Sequence, residues 1–486
     1  MSAGTDNGHL TQGLKQRHMT MIAFGGVIGA GLFVGSGAVI HQTGPAAVLS
    51  YLLAGTLIVL VMRMLGEMAV ANPTVGSFAE YARESVGGWA GFSVGWLYWY
   101  FWVIVVGVEA IAGAGIVQHW IPGVPLWALA LGLIVLLTLT NIASVRSYGE
   151  FEFWFASIKV IAIVVFIGVA TAYVLGLGSG EALDFSNLTA GGGFAPHGVG
   201  SILTGIAVVI FAFVGVEIVT VAAAESVEPA RAVARATNSV VMRVLVFYVA
   251  SILLVAIILP WNDAQVLQSP YVSVLERVGI PAAAEIMNAI VLTAVLSCLN
   301  SGLYTASRML FALARRGDAP AGLLHVSRRG VPLKAILLST VVGYAAVVMA
   351  YASPNTVFLF LVNSSGAIAL FVYLLIAISQ LRMRARLERE APERLKVRMW
   401  LYPGLTYAAI AGIVGVIASM AFVAGTRSQL LLSVLSAAAV LAAYAIKTRV
   451  AAARPAAPVT AEPVAPVAAP LAAEPAARAE RQLAHA

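Results

Sequence analysis

The chain has 486 residues, of which 60% are hydrophobic and only 10% charged, where a soluble domain carries roughly 25% charged residues. Its charges are segregated and its mean hydropathy is +0.92, which excludes an ordinary soluble fold, while the lack of strand-type alternation excludes an outer-membrane barrel. The net charge of +7 comes from Lys and Arg placed between apolar stretches, so it is topological and not the footprint of a nucleic-acid-binding surface.

The first eighteen residues are polar and lack the apolar core and small-residue cleavage site of a secretory signal. They are expected to be a cytoplasmic N-terminus. About twelve apolar spans of membrane-crossing length follow, near 20–40, 45–71, 88–118, 125–143, 153–175, 201–224, 239–259, 284–311, 335–352, 356–381, 400–423 and 430–446. The fold class expected is therefore an all-α polytopic membrane protein with about 12 transmembrane helices.

Span one contains "GGVIGAGLFVGSG", residues 25–37, with glycine at Gly25, Gly26, Gly29, Gly31, Gly35 and Gly37. Two readings are open. Gly25/Gly29 and Gly31/Gly35 have the spacing of a small-residue packing seam. Alternatively, the helix is broken so that its backbone groups face a ligand. The second reading requires a partner break in the other half of the chain. "FVGVE" in span six supplies one, with Gly215 beside Glu217. A break of this kind suits an amino acid: half-helix N-termini receive a carboxylate and exposed carbonyls receive an ammonium.

Three ionisable residues lie deep in spans: Glu109 in span three, Lys159 in span five and Glu217 in span six. Unpaired and facing lipid they would cost on the order of 8–10 kcal/mol together. They must therefore face protein or a wet cavity, either as structural ion pairs and interhelical hydrogen bonds or as functional groups. Arg63 and Glu67 in span two, and Arg308 in span eight, lie near span ends, where i,i+4 pairing and snorkelling account for them. The run "WLYWYFW", Trp96–Trp102, lines a cavity, packs, or forms an interfacial belt. Span eight offers Ser297, Cys298, Asn300 and Ser301, and span ten offers Asn363, Ser364 and Ser365, as cavity groups or as bridges between helices. Cys298 is the sole cysteine, so no intramolecular disulfide forms.

Lys and Arg recur in alternate loops: Lys15 and Arg17, Arg83, Arg146, Arg231 and Arg235, Arg315 to Lys334, Arg382 to Arg398, and Lys447 with Arg449. This alternation predicts that both termini are cytoplasmic. The parts expected are a cytoplasmic N-terminus (1–18), a ten-helix transport core (19–381), a basic cytoplasmic loop (382–399), helices 11 and 12 (400–447) and a disordered Pro/Ala-rich cytoplasmic tail (450–486).

Several ordered stretches carry a family resemblance: "GLKQRHMTMIAFGGVIGAGLFVGSG", "RMLGEMAVANPTVGSFAEYA", "SYGEFEFWFASIKVIAI", "FVGVEIVTVAAAES", "SCLNSGLYTASRMLFALARRGDAP" and "RMWLYP". Over residues 13–447 the chain resembles the amino acid transporter family of the amino acid–polyamine–organocation superfamily, most closely its bacterial gamma-aminobutyrate (GABA) permeases. The resemblance implies a 5+5 inverted-repeat core with broken helices 1 and 6 and two additional C-terminal helices. It implies substrate contacts from Gly26, Val27, Ile28, Gly29, Ala30 and Gly31, and from Phe211, Phe213, Val214 and Gly215, with Phe211 as an aromatic lid or a packing residue. Cys298 is a further candidate. It implies proton coupling through Lys159, whose ammonium stands in for the sodium ion of sodium-coupled relatives, with Glu217 and Glu109 as further candidates. The expected activity is proton-coupled import of GABA or a related amino acid by alternating access, in the bacterial cytoplasmic (inner) membrane. A permease for aromatic, proline or basic substrates, or an exchanger, is the alternative. The expected partners are a small-molecule amino acid, the proton and the lipid bilayer. The sequence holds no Walker A motif, HExxH or nucleophile elbow. No ATP, nucleic acid, metal or cofactor is therefore expected, and no enzymatic activity.

Overall fold

The computed structural model describes residues 28–72, 77–143, 145–177, 184–217, 229–267, 269–280, 282–327, 330–353 and 356–453. Gly26 and Val27, the 1–18 terminus and the tail from 454 lie outside them. The described elements are α1 (Ala30–Phe33), α2 (Gly35–Thr43), α3 (Ala47–Ala71), α4 (Ser77–Ser85), α5 (Gly88–Trp120), α6 (Leu126–Ala143), α7 (Val145–Val174) and α8 (Val199–Phe213). After them come α9 (Pro229–Met242), α10 (Ser251–Ile258), α11 (Pro270–Val278), α12 (Ala283–Arg315), α13 (Leu333–Ala352), α14 (Val357–Glu390), α15 (Gly404–Phe422) and α16 (Ala424–Ala453). No strand occurs among the described residues.

Among the described residues, ten helical stretches are long and apolar enough to cross a membrane. One of them, Ala30–Ala71, holds spans one and two, which are separated by a turn at Gly44 (φ +69°) and Pro45. Among the described residues span six does not reach that length: its helix α8 has 15 residues and stops at Phe213. Span seven departs from its expected form in another way. Its middle, Arg243–Ala250, is π-helical, and the buried Arg243 stands where that segment begins.

The span α5 is the most enclosed and α16 the least, so α5 runs through the centre of the bundle. It packs along α12, α14, α13 and the short helix α4. Two short amphipathic helices, α4 and α11, fall outside the spans read from the sequence. The helix α11 carries ordinary boundary signals, Pro270 in its first turn and Gly279 (φ +74°) at its end.

Past membrane depth α14 continues as a helix to Glu390, into the stretch expected as the basic loop. Its ion pairs Arg384–Glu388 and Arg386–Glu390, both 2.7 Å and both at i,i+4, support the extension. The Glu67 carboxylate accepts from Gln380 Nε2 at 2.7 Å, from Arg384 and from the Met399 N–H, so its partners are far along the chain rather than Arg63. Arg63 instead donates to the Arg398 carbonyl and lies over the Trp400 ring. A pair read as local is thus a tie between α3, α14 and the segment before α15. The compact unit extends to Tyr444, and the described part from Ala445 is helical as far as Ala453.

Candidate substrate site at the two helix breaks

Span one begins its described course outside a helix. Ile28 and Gly29 precede α1, and α1 passes into α2 through a kink at Val34 (φ −109°, ψ −49°). The α1 start is already engaged. The Ala30 N–H points at both oxygens of Glu109, at 3.2 and 3.1 Å. A carboxylate from α5 thus occupies the helix start that the sequence reading assigns to a substrate carboxylate.

The glycines serve tight packing at the same place. A Cβ on Gly29 would sit 2.7 Å from Glu109 Oε1 and 2.8 Å from Cys298 Cβ. A Cβ on Gly31 would sit 2.7 Å from the Ala212 backbone on α8. Gly35 has only looser neighbours, the nearest at 3.5 Å, so the Gly31/Gly35 seam is tight at one position only. Packing and helix break are therefore two properties of one short segment.

Span six breaks visibly. After Phe213, Val214 is extended (φ −64°, ψ 140°) and Gly215 takes φ +108°, a conformation that side-chain-bearing residues rarely adopt. The Glu217 carboxylate folds back to accept the Gly215 N–H at 3.0 Å, and it accepts Tyr98 Oη–H at 2.7 Å and Tyr373 Oη–H at 3.2 Å. The break is thereby fastened to α5 and α14.

Lys159 on α7 is fully buried. Its ammonium stands 3.9 Å from Glu152, two turns earlier on the same helix, and the Ser297 hydroxyl lies 2.7 Å from both Glu152 oxygens. The adjacent Cys298 lies beside Glu109 instead: the two side chains face Gly29 together and both line the central cavity. Two consecutive residues of α12 thus touch the Lys159–Glu152 pair and the Glu109–Ala30 contact.

Between the breaks lies a cavity of about 10 Å³, lined by Gly31, Phe101, Trp102, Val105, Glu109, Phe211, Ala212, Val214 and Cys298. That is room for about one water, so the site is closed. Phe211 lines it opposite Phe101, with ring centroids 6.2 Å apart.

Of the residues named from sequence, Gly29, Ala30, Gly31, Phe211, Val214, Glu109 and Cys298 come together here. Ile28 is buried beside them without lining the cavity. Phe213 points elsewhere, packing on Tyr248 at 4.4 Å. Lys159 and Glu217 form separate networks behind the walls. The aromatic run divides: Tyr98, Phe101 and Trp102 are buried inward, while Trp96 and Trp99 donate to the Asp318 carbonyl and Ser339. On α12, Asn300 bridges to Asn141 at 2.6 Å. In span ten, Ser364 and Ser365 bond to their own helix, and Ser433 of α16 donates to the Ser364 carbonyl. Sequence reading missed Glu152 and Tyr373, and gave Tyr98 only as one member of the aromatic run. The i,i+7 spacing of Glu152 and Lys159 on one helical face was the available signal for the first.

The sequence profile of the amino acid permease family matches residues 18–455. The chain therefore belongs to the amino acid permease family: it is a multi-pass membrane transporter and not an enzyme. It is 58% identical to the gamma-aminobutyric acid permease of Bacillus subtilis (strain 168), over 93% of this chain and 97% of that one. It is 50% identical to the gamma-aminobutyric acid permease of Escherichia coli (strain K12), over 84% and 88%. With the aromatic amino acid transport protein AroP of Corynebacterium glutamicum it shares 40% identity over 87% and 92%.

Proposed function

We propose that this permease imports GABA, or a closely related small amino acid, together with a proton, by alternating access across the bacterial cytoplasmic membrane with both termini inside. The observation that carries the reading is the Ala30–Glu109 contact: a helix start inside the membrane that holds a carboxylate and faces a second broken helix across a small closed cavity. When the cavity opens, the substrate carboxylate takes the place of Glu109 at the Ala30 N–H. The high identity to two GABA permeases supports the substrate.

Lys159, Glu109 and Glu217 are the ionisable groups assigned to coupling. The Lys159–Glu152 pair, through Ser297, and Glu109, beside Cys298, meet consecutive residues of α12, which supports a coupling between them. The bonds of Glu217 fit it better to holding the span-six break. Import is energetically sensible, because one positive charge crossing 100 mV supplies about 2.3 kcal/mol, enough for roughly fifty-fold accumulation.

The test is uptake of radiolabelled GABA into proteoliposomes under an inward proton gradient, with and without a protonophore, against excess unlabelled amino acids. Gradient-dependent uptake that unlabelled GABA blocks and proline, phenylalanine and lysine do not is the expected result. Uptake of another amino acid without GABA would discard the substrate, and uptake indifferent to the protonophore would discard the coupling.

A further inference from the structure

The span-six break leaves a carbonyl to be answered. In an unbroken helix the Ala212 carbonyl would accept from the N–H of Val216, four residues on. Val214 is extended (ψ 140°) and Gly215 takes φ +108°, so the chain leaves that course just past Ala212. A buried carbonyl needs a donor from elsewhere. Tyr248 of span seven supplies it: its hydroxyl donates to the Ala212 carbonyl at 3.0 Å. The buried Tyr248 ring also lies on Phe213, with centroids 4.4 Å apart. One side chain thus holds the last two residues of α8, one by a hydrogen bond and the other by packing.

The place of Tyr248 depends on the irregular part of span seven. It lies in the π-helical segment Arg243–Ala250. The buried residues Val240, Val244, Tyr248 and Ile252 follow one another at a spacing of four. On an α-helix of 3.6 residues per turn such a row winds steadily off one face, and wider i→i+5 turns wind it back. The segment therefore keeps Tyr248 in line with the buried face on either side of it. Its far end is pinned as well: the hydroxyl of Ser251, the first residue of α10, lies 2.8 Å from the Tyr271 hydroxyl of α11.

The wall held in this way belongs to the central site. Ala212 lines the cavity, and a Cβ on Gly31 would stand 2.7 Å from its Cα, so Ala212 is a point where the two broken spans meet. Tyr248 does not line the cavity and acts from behind the wall. We propose that Tyr248 is a positioning residue for substrate binding: through the Ala212 carbonyl, its hydroxyl sets where the span-six wall stands when the site closes on an amino acid. The inference rests on the transport reading above, because it takes the central cavity as the substrate site. A bond that only fastened span six would count equally in the loaded and the empty carrier and would leave affinity unchanged. A bond that places the wall counts most when the wall lies against a substrate. Tyr51 of α3 provides the control. It is buried in the same aromatic cluster, with its ring 6.3 Å from that of Tyr248, and its hydroxyl has no hydrogen-bond partner among the described residues.

The test is competition binding of radiolabelled GABA to the full chain in nanodiscs, against unlabelled GABA and its homologue one carbon longer, alongside proteoliposome uptake and thermal melting. Tyr248→Phe keeps the ring and removes the donor. Its dissociation constant for GABA is expected to rise about tenfold, the order of effect one hydrogen bond has, with KM rising in step and the maximal rate staying within about twofold. Its discrimination between the two chain lengths is expected to shrink. That ratio comes from one preparation and does not depend on the fraction of protein folded. Tyr51→Phe is expected to match wild type in both readouts. An unchanged dissociation constant in Tyr248→Phe, even with a lowered melting temperature, overturns the positioning role and leaves the transport reading standing. Equal losses in Tyr51→Phe overturn it in the same way. If wild type neither binds nor takes up GABA, the transport reading falls and the positioning role falls with it.

Discussion

Lys159 and Glu152 stand two turns apart on one face of α7, both fully buried, with 3.9 Å between ammonium and carboxylate. Removing one member of a buried pair strands the other at a cost of about 3–5 kcal/mol. Lys159→Ala is therefore expected to abolish gradient-driven accumulation and also to lower the melting temperature. The double variant Lys159→Ala/Glu152→Gln recovers much of the melting temperature without recovering accumulation. Uptake and thermal melting measured on the same preparations check this, and wild-type accumulation in Lys159→Ala would remove Lys159 from the coupling scheme.

Gly29→Val puts a branched side chain where 2.7–2.8 Å is already the distance to Glu109 and Cys298. Overpacking of this kind costs about 1–3 kcal/mol. The apparent affinity for substrate in a competition binding assay should fall about tenfold or more. Unchanged affinity would mean that the α1 start is not part of the substrate site.

Glu217→Gln discriminates between a fastening and a proton-carrying role. With the amide oxygen in the Oε2 position it still accepts from Gly215 and Tyr373, and the Tyr98 hydroxyl can turn to accept from the new amide N–H, so a fastening role predicts that more than half of transport survives. Glu217→Ala leaves three donors without their acceptor, at about 1–3 kcal/mol each, and transport should be lost together with thermal stability. Loss of coupled uptake in a well-folded Glu217→Gln would assign the proton to this carboxylate.

Cys298 is the sole cysteine, is buried and lines the central cavity, so labelling by a polar thiol reagent reports one site without background. Labelling should be slow and slower still with substrate bound. Equal rates with and without substrate would place the thiol outside the pathway of the amino acid.

The spans were legible in the sequence because a bilayer demands long apolar runs, and few other environments produce them. The span-six break was legible because Gly215 and Glu217 are anomalies at membrane depth. Partners distant along the chain were harder to read. Glu67 lay four residues from Arg63, yet it is bound by Arg384, which helix periodicity does not reveal. Glu152 escaped attention in an aromatic stretch at the edge of a span, and Asn363 was grouped with cavity residues although it does not line the central cavity. The π-helical middle of span seven has no composition that marks it.

The Ala30–Glu109 contact also bears on the half of the cycle that carries no cargo. A helix start buried in an apolar interior is costly when nothing answers it, and an empty carrier would stall on that debt as it turned back. Here the protein supplies its own counterfeit of the cargo carboxylate. Under the mechanism proposed above, the unloaded molecule reorients with its backbone satisfied until an amino acid displaces the placeholder.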